Sequence, residues 1–204
     1  MHMTPPDLAP DAPFFIVLNA GSGKRSTEPV RAAVEQACGA AGRRHRIFLV
    51  EAPGQLQAFA REAVERARAN GGVVVAAGGD GTINAVAQAT LGSGCAFGVL
   101  PQGTFNYFSR THGIPAENEA ALQVLLNEPP RAVQVGLVND KVFLVNASLG
   151  LYAQLLEERE TFKRDYGRSR LIALGAAVVT MLRGGHRSWR LRMALRGQER
   201  DVRT

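Results

Sequence analysis

Apolar residues in the first two thirds of the chain fall into short β-branched runs separated by stretches of helical period. Phe14 to Leu18, His45 to Val50, Val73 to Ala77 and Cys95 to Leu100 read as strands. Residues 27–41, 54–69, 83–91 and 117–127 read as helices, with a short helical piece over 104–111. Gly42, Gly71-Gly72 and Gly113 stand where those helices should stop. Strictly alternating strand and helix predicts an α/β fold, a mostly parallel sheet with helices on both faces in three layers. Near 129–140 the rhythm breaks. Residues 131–138 and 141–146 read as two strands joined at Asn139-Asp140 as a hairpin turn of less than ideal chemistry. Residues 155–183 read as helical with a break at Gly167. Trp189, Leu191, Met193 and Leu195 then alternate with Arg190, Arg192 and Arg196, the period of a half-buried strand that turns at 196–198 and returns over 199–204. The expected division is a disordered, proline-rich leader over 1–13, an α/β domain over 14–130, and over 131–204 the beginning of a β-rich second domain.

Three of the strands end in small, polar, glycine-bearing loops, and these carry the candidate chemistry. Val73 to Ala77 runs into Gly78-Gly79-Asp80-Gly81-Thr82 and then the helical Ile83-Asn84-Ala85-Val86. Glycines after a strand let backbone N–H groups approach a phosphate, and the following helix aims its positive end at the same point. A carboxylate there would repel a bare phosphate, so Asp80 implies either a magnesium-bound nucleotide or a hydroxyl whose proton it takes. Phe14 to Leu18 ends in Asn19-Ala20-Gly21-Ser22-Gly23-Lys24, and Phe97 to Leu100 ends in Pro101-Gln102-Gly103-Thr104-Phe105-Asn106. In an open α/β sheet the carboxyl ends of neighbouring strands line one crevice, where ligands bind. Gly21-Ser22-Gly23-Lys24 is no P-loop, because Leu18 and Arg25 occupy the places of its first glycine and of its final Ser or Thr. The dinucleotide fingerprint G-x-G-x-x-G is also absent from the first strand.

Composition narrows the partners. The 204 residues carry 24 Lys and Arg against 18 Asp and Glu, a net charge of +6 that favours anionic partners. Basic residues crowd the stretch from Arg159 to Arg203, which suits either a membrane surface or an ordinary solvated face. One Trp, three Tyr and no aromatic-basic binding motif argue against nucleic acid. Cys38 and Cys95 lack metal spacing and read as reduced thiols of a cytoplasmic protein, and His2, His45, His112 and His186 show no ligand spacing. No signal peptide is evident. The apolar stretch 171–182 is too short to span a bilayer and suits burial or docking on an acyl chain.

Taken in order, Asn19 to Lys24, Gly78 to Asn84 and Leu100 to Arg110 resemble the diacylglycerol kinase catalytic-domain family, which includes bacterial lipid kinases and sphingosine and ceramide kinases. The stretch Val142 to Tyr152, with Lys163, Gly167 and Arg168, resembles the segment that opens that family's second domain. The resemblance implies an ATP-dependent lipid kinase using ATP and Mg2+, acting on diacylglycerol or a related lipid at a membrane surface. It further implies a cytoplasmic protein in peripheral contact with the inner membrane face, with self-association left open. Asp80 is then the expected catalytic side chain, placing magnesium-ATP or the acceptor hydroxyl for in-line transfer. Asn19, Gly21, Ser22, Gly23, Lys24, Gly78, Gly79, Gly81, Thr82, Asn84, Gly103, Thr104 and Asn106 are expected to hold the nucleotide, with Thr82 equally suited to capping the helix. No metal ligand set is assigned. Family members run well past residue 204 and carry an acidic catalytic motif that has no counterpart here, so the chain is expected to be a fragment. Tyr107 and Gln134 replace two carboxylates of the family pattern. An inactive nucleotide-binding regulatory module is the alternative, and an NAD kinase-type enzyme, which shares the GGDG turn, is a third.

Overall fold

A computed structural model describes residues 6–21, 27–147, 190–195 and 198–203. By compactness the chain divides into Met1–Asn146 and Ala147–Thr204. In the first unit, β1 (Phe14–Asn19), β2 (His45–Val50), β3 (Val73–Gly78) and β4 (Ala96–Pro101) form one parallel sheet in the order β2-β1-β3-β4. The helices are α1 (Thr27–Ala40), α2 (Leu56–Asn70) after a 3-10 turn at Pro53–Gln55, α3 (Asp80–Thr90), α4 (Tyr107–Thr111) and α5 (Asn118–Asn127). The α/β reading is therefore correct, and β2 falls on the expected residues.

Alternation along each strand sends successive side chains to opposite faces, and both faces are apolar, as a doubly covered parallel sheet requires. Phe15, Val17, Val74, Ala76 and Val99 pack on Ala60, Ala63, Val64 and Ala67 of α2 and Ile83 and Val86 of α3. Phe14, Ile16, Leu18, Val73, Val75 and Leu100 pack on Val30, Val34 and Cys38 of α1 and Ala121 and Leu122 of α5. Each fully buried large apolar side chain contributes about 1.5–3 kcal/mol, so these two layers are the main stabilising term. Cys38 is buried and unpaired, and burial pushes its thiol pKa up, opposed by nearby Arg43, which leaves little reactive thiolate. Gly71 caps α2 in the left-handed conformation at φ 61°, returning its N–H to the Ala67 carbonyl.

Two boundaries differ from the sequence reading, each for a local reason. Helix α3 begins at Asp80 rather than 83, because Gly79 is the extended N-cap and the Ile83 N–H reaches its carbonyl at 3.0 Å. Helix α4 begins at Tyr107 rather than 104, because Asn106 sits in the left-handed region at φ 49°. The expected hairpin forms with shorter arms, β5 (Gly136–Val138) and β6 (Lys141–Phe143), antiparallel. Asn139 and Asp140 at its tip both take positive φ, 46° and 62°, the type I′ geometry that matches strand twist. Residues 131–135 pair with nothing in the sheet and are mostly exposed.

In the second unit, β7 (Arg190–Leu195) pairs antiparallel with β8 (Gln198–Arg203), in agreement with the period-two pattern. The helical reading of 155–183 and the apolar stretch 171–182 lie outside the described residues. No described helix is long and apolar enough to cross a membrane.

Candidate active site

Strand order reverses beside β1: β2 lies on one side of it, while β3 and β4 continue on the other. A crevice opens at the carboxyl ends of the strands where such a reversal occurs. Three of the loops singled out in the sequence end there.

Hydrogen bonds tie them together. Asn19 leaves β1 with its side-chain amide donating to the Thr82 hydroxyl at 2.8 Å, while its carbonyl oxygen accepts the Gly21 N–H at 3.0 Å. Thr82 is buried in the first turn of α3, so it is not the helix cap; that position belongs to Gly79. The Asp80 carboxylate accepts the backbone N–H of Phe108 at 3.2 Å, tying the α3 turn to the first turn of α4. Asn106, buried, folds its carbonyl oxygen back onto the Gly103 N–H at 2.9 Å and closes its own loop. Gln102 donates from its backbone to the Gly78 carbonyl at 2.8 Å and from its side chain to Asn118 at 2.6 Å. Neither Gln102 nor Asn118 stands out in the sequence, since a single amide after a strand carries no periodic signal.

The glycines divide into two kinds when a Cβ is imagined on each. At Gly78 it would lie 2.5 Å from Thr82 Cβ, and at Gly103 it would lie 2.8 Å from both Gly79 Cα and Asn106 Oδ1. Those glycines exist because the protein packs against itself there. At Gly81 a Cβ would meet nothing within 4 Å, and the residue is exposed. Internal packing gives no reason for glycine at this first-turn position. A helix's first turn leaves N–H groups without intrahelical partners, and an absent side chain keeps the approach to them open.

Of the other expected site residues, Thr104 is exposed at the rim, and Ser22, Gly23 and Lys24 lie outside the described residues. Asn84 is engaged elsewhere: its side chain donates to the Val142 carbonyl of β6 at 2.9 Å and accepts the N–H of Leu144, just past that strand, at 3.1 Å. Phe105 and Tyr107 project outward, with their rings stacked 5.4 Å apart and 6° from parallel. Among the described residues no cluster of three or more His, Cys, Asp or Glu is placed to hold a metal on its own. A groove of about 400 Å³ between α1 and α5, lined by Ala37, Ala41, Arg43 and Leu126, belongs to the opposite end of the sheet.

The start of α3 thus combines an exposed glycine, a carboxylate in the same turn and a second glycine loop pressed against that turn. Residues 13–138, more than half of the chain, match the model of the diacylglycerol kinase catalytic domain. The chain belongs to the diacylglycerol kinase catalytic domain family. It is 39% identical over 158 residues to a "probable lipid kinase YegS-like" protein of Pseudomonas aeruginosa, covering 75% of this chain and 50% of that protein. A protein of the same description from Chromohalobacter salexigens is 42% identical over 101 residues, 48% of this chain and 32% of its own length. The chain thus spans half or less of the length of these curated relatives. The crystal structure of a diacylglycerol kinase from Bacillus anthracis superposes with a TM-score of 0.62 at 18% identity, covering 94% of this chain and 61% of that one, which shows a shared fold.

Proposed function

We propose that this chain forms the nucleotide-binding part of an ATP-dependent lipid kinase, which transfers the γ-phosphoryl group of magnesium-ATP to a hydroxyl of diacylglycerol or a related lipid. The observation that carries the reading is Gly81, a glycine with open space in front of it at the first turn of α3, one residue from a carboxylate. Family membership and the lipid-kinase relatives support the reaction class.

The contacts among the described residues support the following roles. Backbone N–H groups at Asp80, Gly81 and Thr82 face the phosphates, with the α3 dipole favouring negative charge there. Gly78, Gly79 and Gly103 bring the two turns into contact so that the crevice has a closed floor, and Thr104 stands at its edge. Asn19 braces the α3 turn through Thr82 and orders Gly21, and Ser22, Gly23 and Lys24, which follow in the same loop, are proposed as further nucleotide-binding residues, Lys24 as a charge partner for phosphate. Magnesium-ATP supplies the phosphoryl group and the neutralising cation. A carboxylate is the hard oxygen donor such a cation accepts, so Asp80 fits either the metal or the acceptor hydroxyl. Because the Phe108 N–H holds one carboxylate oxygen, Asp80 is oriented before any ligand arrives. Asn106 acts by shaping the Gly103 loop. The second domain, proposed over 131–204, would present the lipid, with the protein cytoplasmic and peripheral at the membrane.

Tyr107 favours a second reading. Where the family pattern carries a carboxylate this chain places an exposed ring stacked on Phe105, which suits a nucleotide-binding module without transfer activity. Calorimetric titration with magnesium-ATP, beside Asp80→Ala and followed by transfer of labelled phosphate to dispersed diacylglycerol, separates the two. Binding with transfer, and a loss of transfer of roughly 10²-fold in the variant, supports the kinase. Binding without transfer favours the module, and no binding by a chain with a normal melting transition sinks both.

A further inference from the structure

Helix α4 and the loop before it divide sharply into an inner and an outer face. Phe108 and Ser109 are buried, whereas Phe105, Tyr107, Arg110 and Thr111 are exposed. The backbone beneath the outer face is fixed: Asn106 is buried in the left-handed conformation, and the Thr111 hydroxyl donates to the Tyr107 carbonyl at 2.9 Å. On that support the two rings stack, yet Phe105 remains 61% and Tyr107 48% exposed. A lone apolar side chain in water is ordinary, but a stacked aromatic pair held beside a candidate active site marks a contact surface.

The pair is tied to the Asp80 turn by a direct bond. The Phe108 N–H reaches the Asp80 carboxylate at 3.2 Å, and Tyr107 is the residue joined to that nitrogen, so its Cα lies within about 6 Å of the carboxylate oxygen. The surface also carries charge of one sign. No acidic residue occurs between Gly103 and Ile114, and Arg110, exposed three residues after Tyr107, forms no ion pair among the described residues. Aromatic rings beside an uncompensated guanidinium suit the interface of an anionic bilayer, where rings enter at headgroup level and the cation meets lipid phosphates. A nucleobase, by contrast, needs a slot that covers most of its surface, and two rings this exposed offer one open side.

We infer that Phe105, Tyr107 and Arg110 form a docking face for an anionic lipid bilayer, which seats the α4 end of the crevice on the membrane. This rests on the lipid-kinase reading above and names the surface through which the crevice meets its substrate. Apolar groups that enter a bilayer interface sink about 5–10 Å, a depth comparable with the separation of Tyr107 from Asp80. The Asp80 carboxylate then stands at the level of the headgroups, so an acceptor hydroxyl meets it without its lipid leaving the bilayer. The exposed ring of Tyr107 thereby gains a use that is compatible with phosphoryl transfer.

The test uses the full chain and vesicles of phosphatidylcholine, with or without phosphatidylglycerol, whose acyl chains carry bromine as a fluorescence quencher. The basic stretch from Arg159 to Arg203 is itself suited to anionic vesicles, so the readout must be local. Phe105→Trp in a Trp189→Phe background leaves a single indole, and its emission should be quenched and shifted to the blue on the anionic vesicles. Arg110→Gln, added to that chain, should weaken binding to the anionic vesicles about fivefold at low salt and leave the neutral ones unaffected. Replacing both Phe105 and Tyr107 by Ala in the native chain should weaken binding about tenfold or more, with the Kd for magnesium-ATP within about twofold. An indole that stays unquenched, whether or not the vesicles carry the chain down on sedimentation, overturns the docking face and leaves the kinase reading standing. So does a double alanine variant that binds vesicles as the wild type does. A Kd for magnesium-ATP that rises in the double variant overturns the face in favour of a nucleobase stacked on the rings. Unchanged affinity in the Arg110→Gln chain removes Arg110 from the face. A folded chain whose indole is quenched but which binds no magnesium-ATP supports the face and sinks the kinase reading.

Discussion

Gly72 precedes β3 at the amino end of the sheet, and Gly81 follows it at the carboxyl end, yet their surroundings are opposite. A Cβ at Gly72 would sit 2.6 Å from the Pro13 carbonyl oxygen and 2.7 Å from the Phe15 ring, whereas one at Gly81 would meet nothing. The rest of each end agrees. At the amino end the Val73 N–H bonds to Pro13 O at 2.9 Å, and the Arg43 guanidinium is spent on the Ala12 and Leu126 carbonyls while lying over the Phe14 ring. At the carboxyl end, side chains from separate loops bond to one another, and Gly81 beside them is exposed. One end closes the domain and the other holds a place open, so a glycine's meaning must be read from what its missing Cβ would touch.

The largest expected effect lies at the closed end. Gly72→Ala forces backbone and an aromatic ring apart and should cost about 3 kcal/mol, lowering the melting temperature by roughly 6–12 °C. Its binding of magnesium-ATP below that transition should match the wild type. A melting curve superimposed on that of the parent chain would show that the amino end has slack and that the contrast between the ends is false.

Next comes Gly81→Ala, which reverses the pattern. Alanine is the better helix former by about 1 kcal/mol and clashes with nothing, so stability should hold or rise. The methyl group would occupy the approach to the first-turn amides, and the Kd for magnesium-ATP should rise about tenfold or more, equivalent to about 1.4 kcal/mol. Titration of the folded variant decides it: wild-type affinity would mean that the opening serves no ligand.

The contrast also explains what could be read in advance. Strands and helices of the first unit were legible because both faces of the sheet are covered, which forces β-branched runs, and because Val30, Val34 and Cys38 repeat at helical spacing. Gly78 to Thr82, Gly103 and Asn106 were legible as loops that would meet because glycine and amide residues cluster at the ends of neighbouring strands. The partition among them was not, since only space distinguishes a packing glycine such as Gly103 from an open one such as Gly81. The start of α3 at Asp80 was missed because glycines at 78, 79 and 81 suggest a loop, although the N–H groups of the turn already belong to a helix. The bonds of Asn84 were not legible for a related reason: its partners, the backbone of 142 and 144, lie 58 and 60 residues away, and backbone groups leave no trace in side-chain pattern.

Asn19 gives the smallest effect and sharpens the comparison most, because one variant can separate bracing from charge. Its amide links β1 to Thr82 at 2.8 Å and orders Gly21 at 3.0 Å. Asn19→Ala removes both bonds and should cost about 1 kcal/mol each at most, weakening nucleotide binding by loosening the floor of the crevice. Asn19→Asp keeps an acceptor for the Gly21 N–H, and the Thr82 hydroxyl can rotate to donate to the new carboxylate, so the bracing survives. What the aspartate adds is a negative charge next to the proposed phosphate position. Melting temperature should therefore fall in the alanine variant and stay near the parent value in the aspartate variant. Affinity for magnesium-ATP should fall in both, and in the aspartate variant the loss should shrink as ionic strength rises, because salt screens charge repulsion and leaves a lost brace unchanged. An aspartate variant that binds as tightly as the wild type would place the nucleotide's phosphates away from β1 and leave the open ground in front of Gly81 to be approached from the β4 side alone.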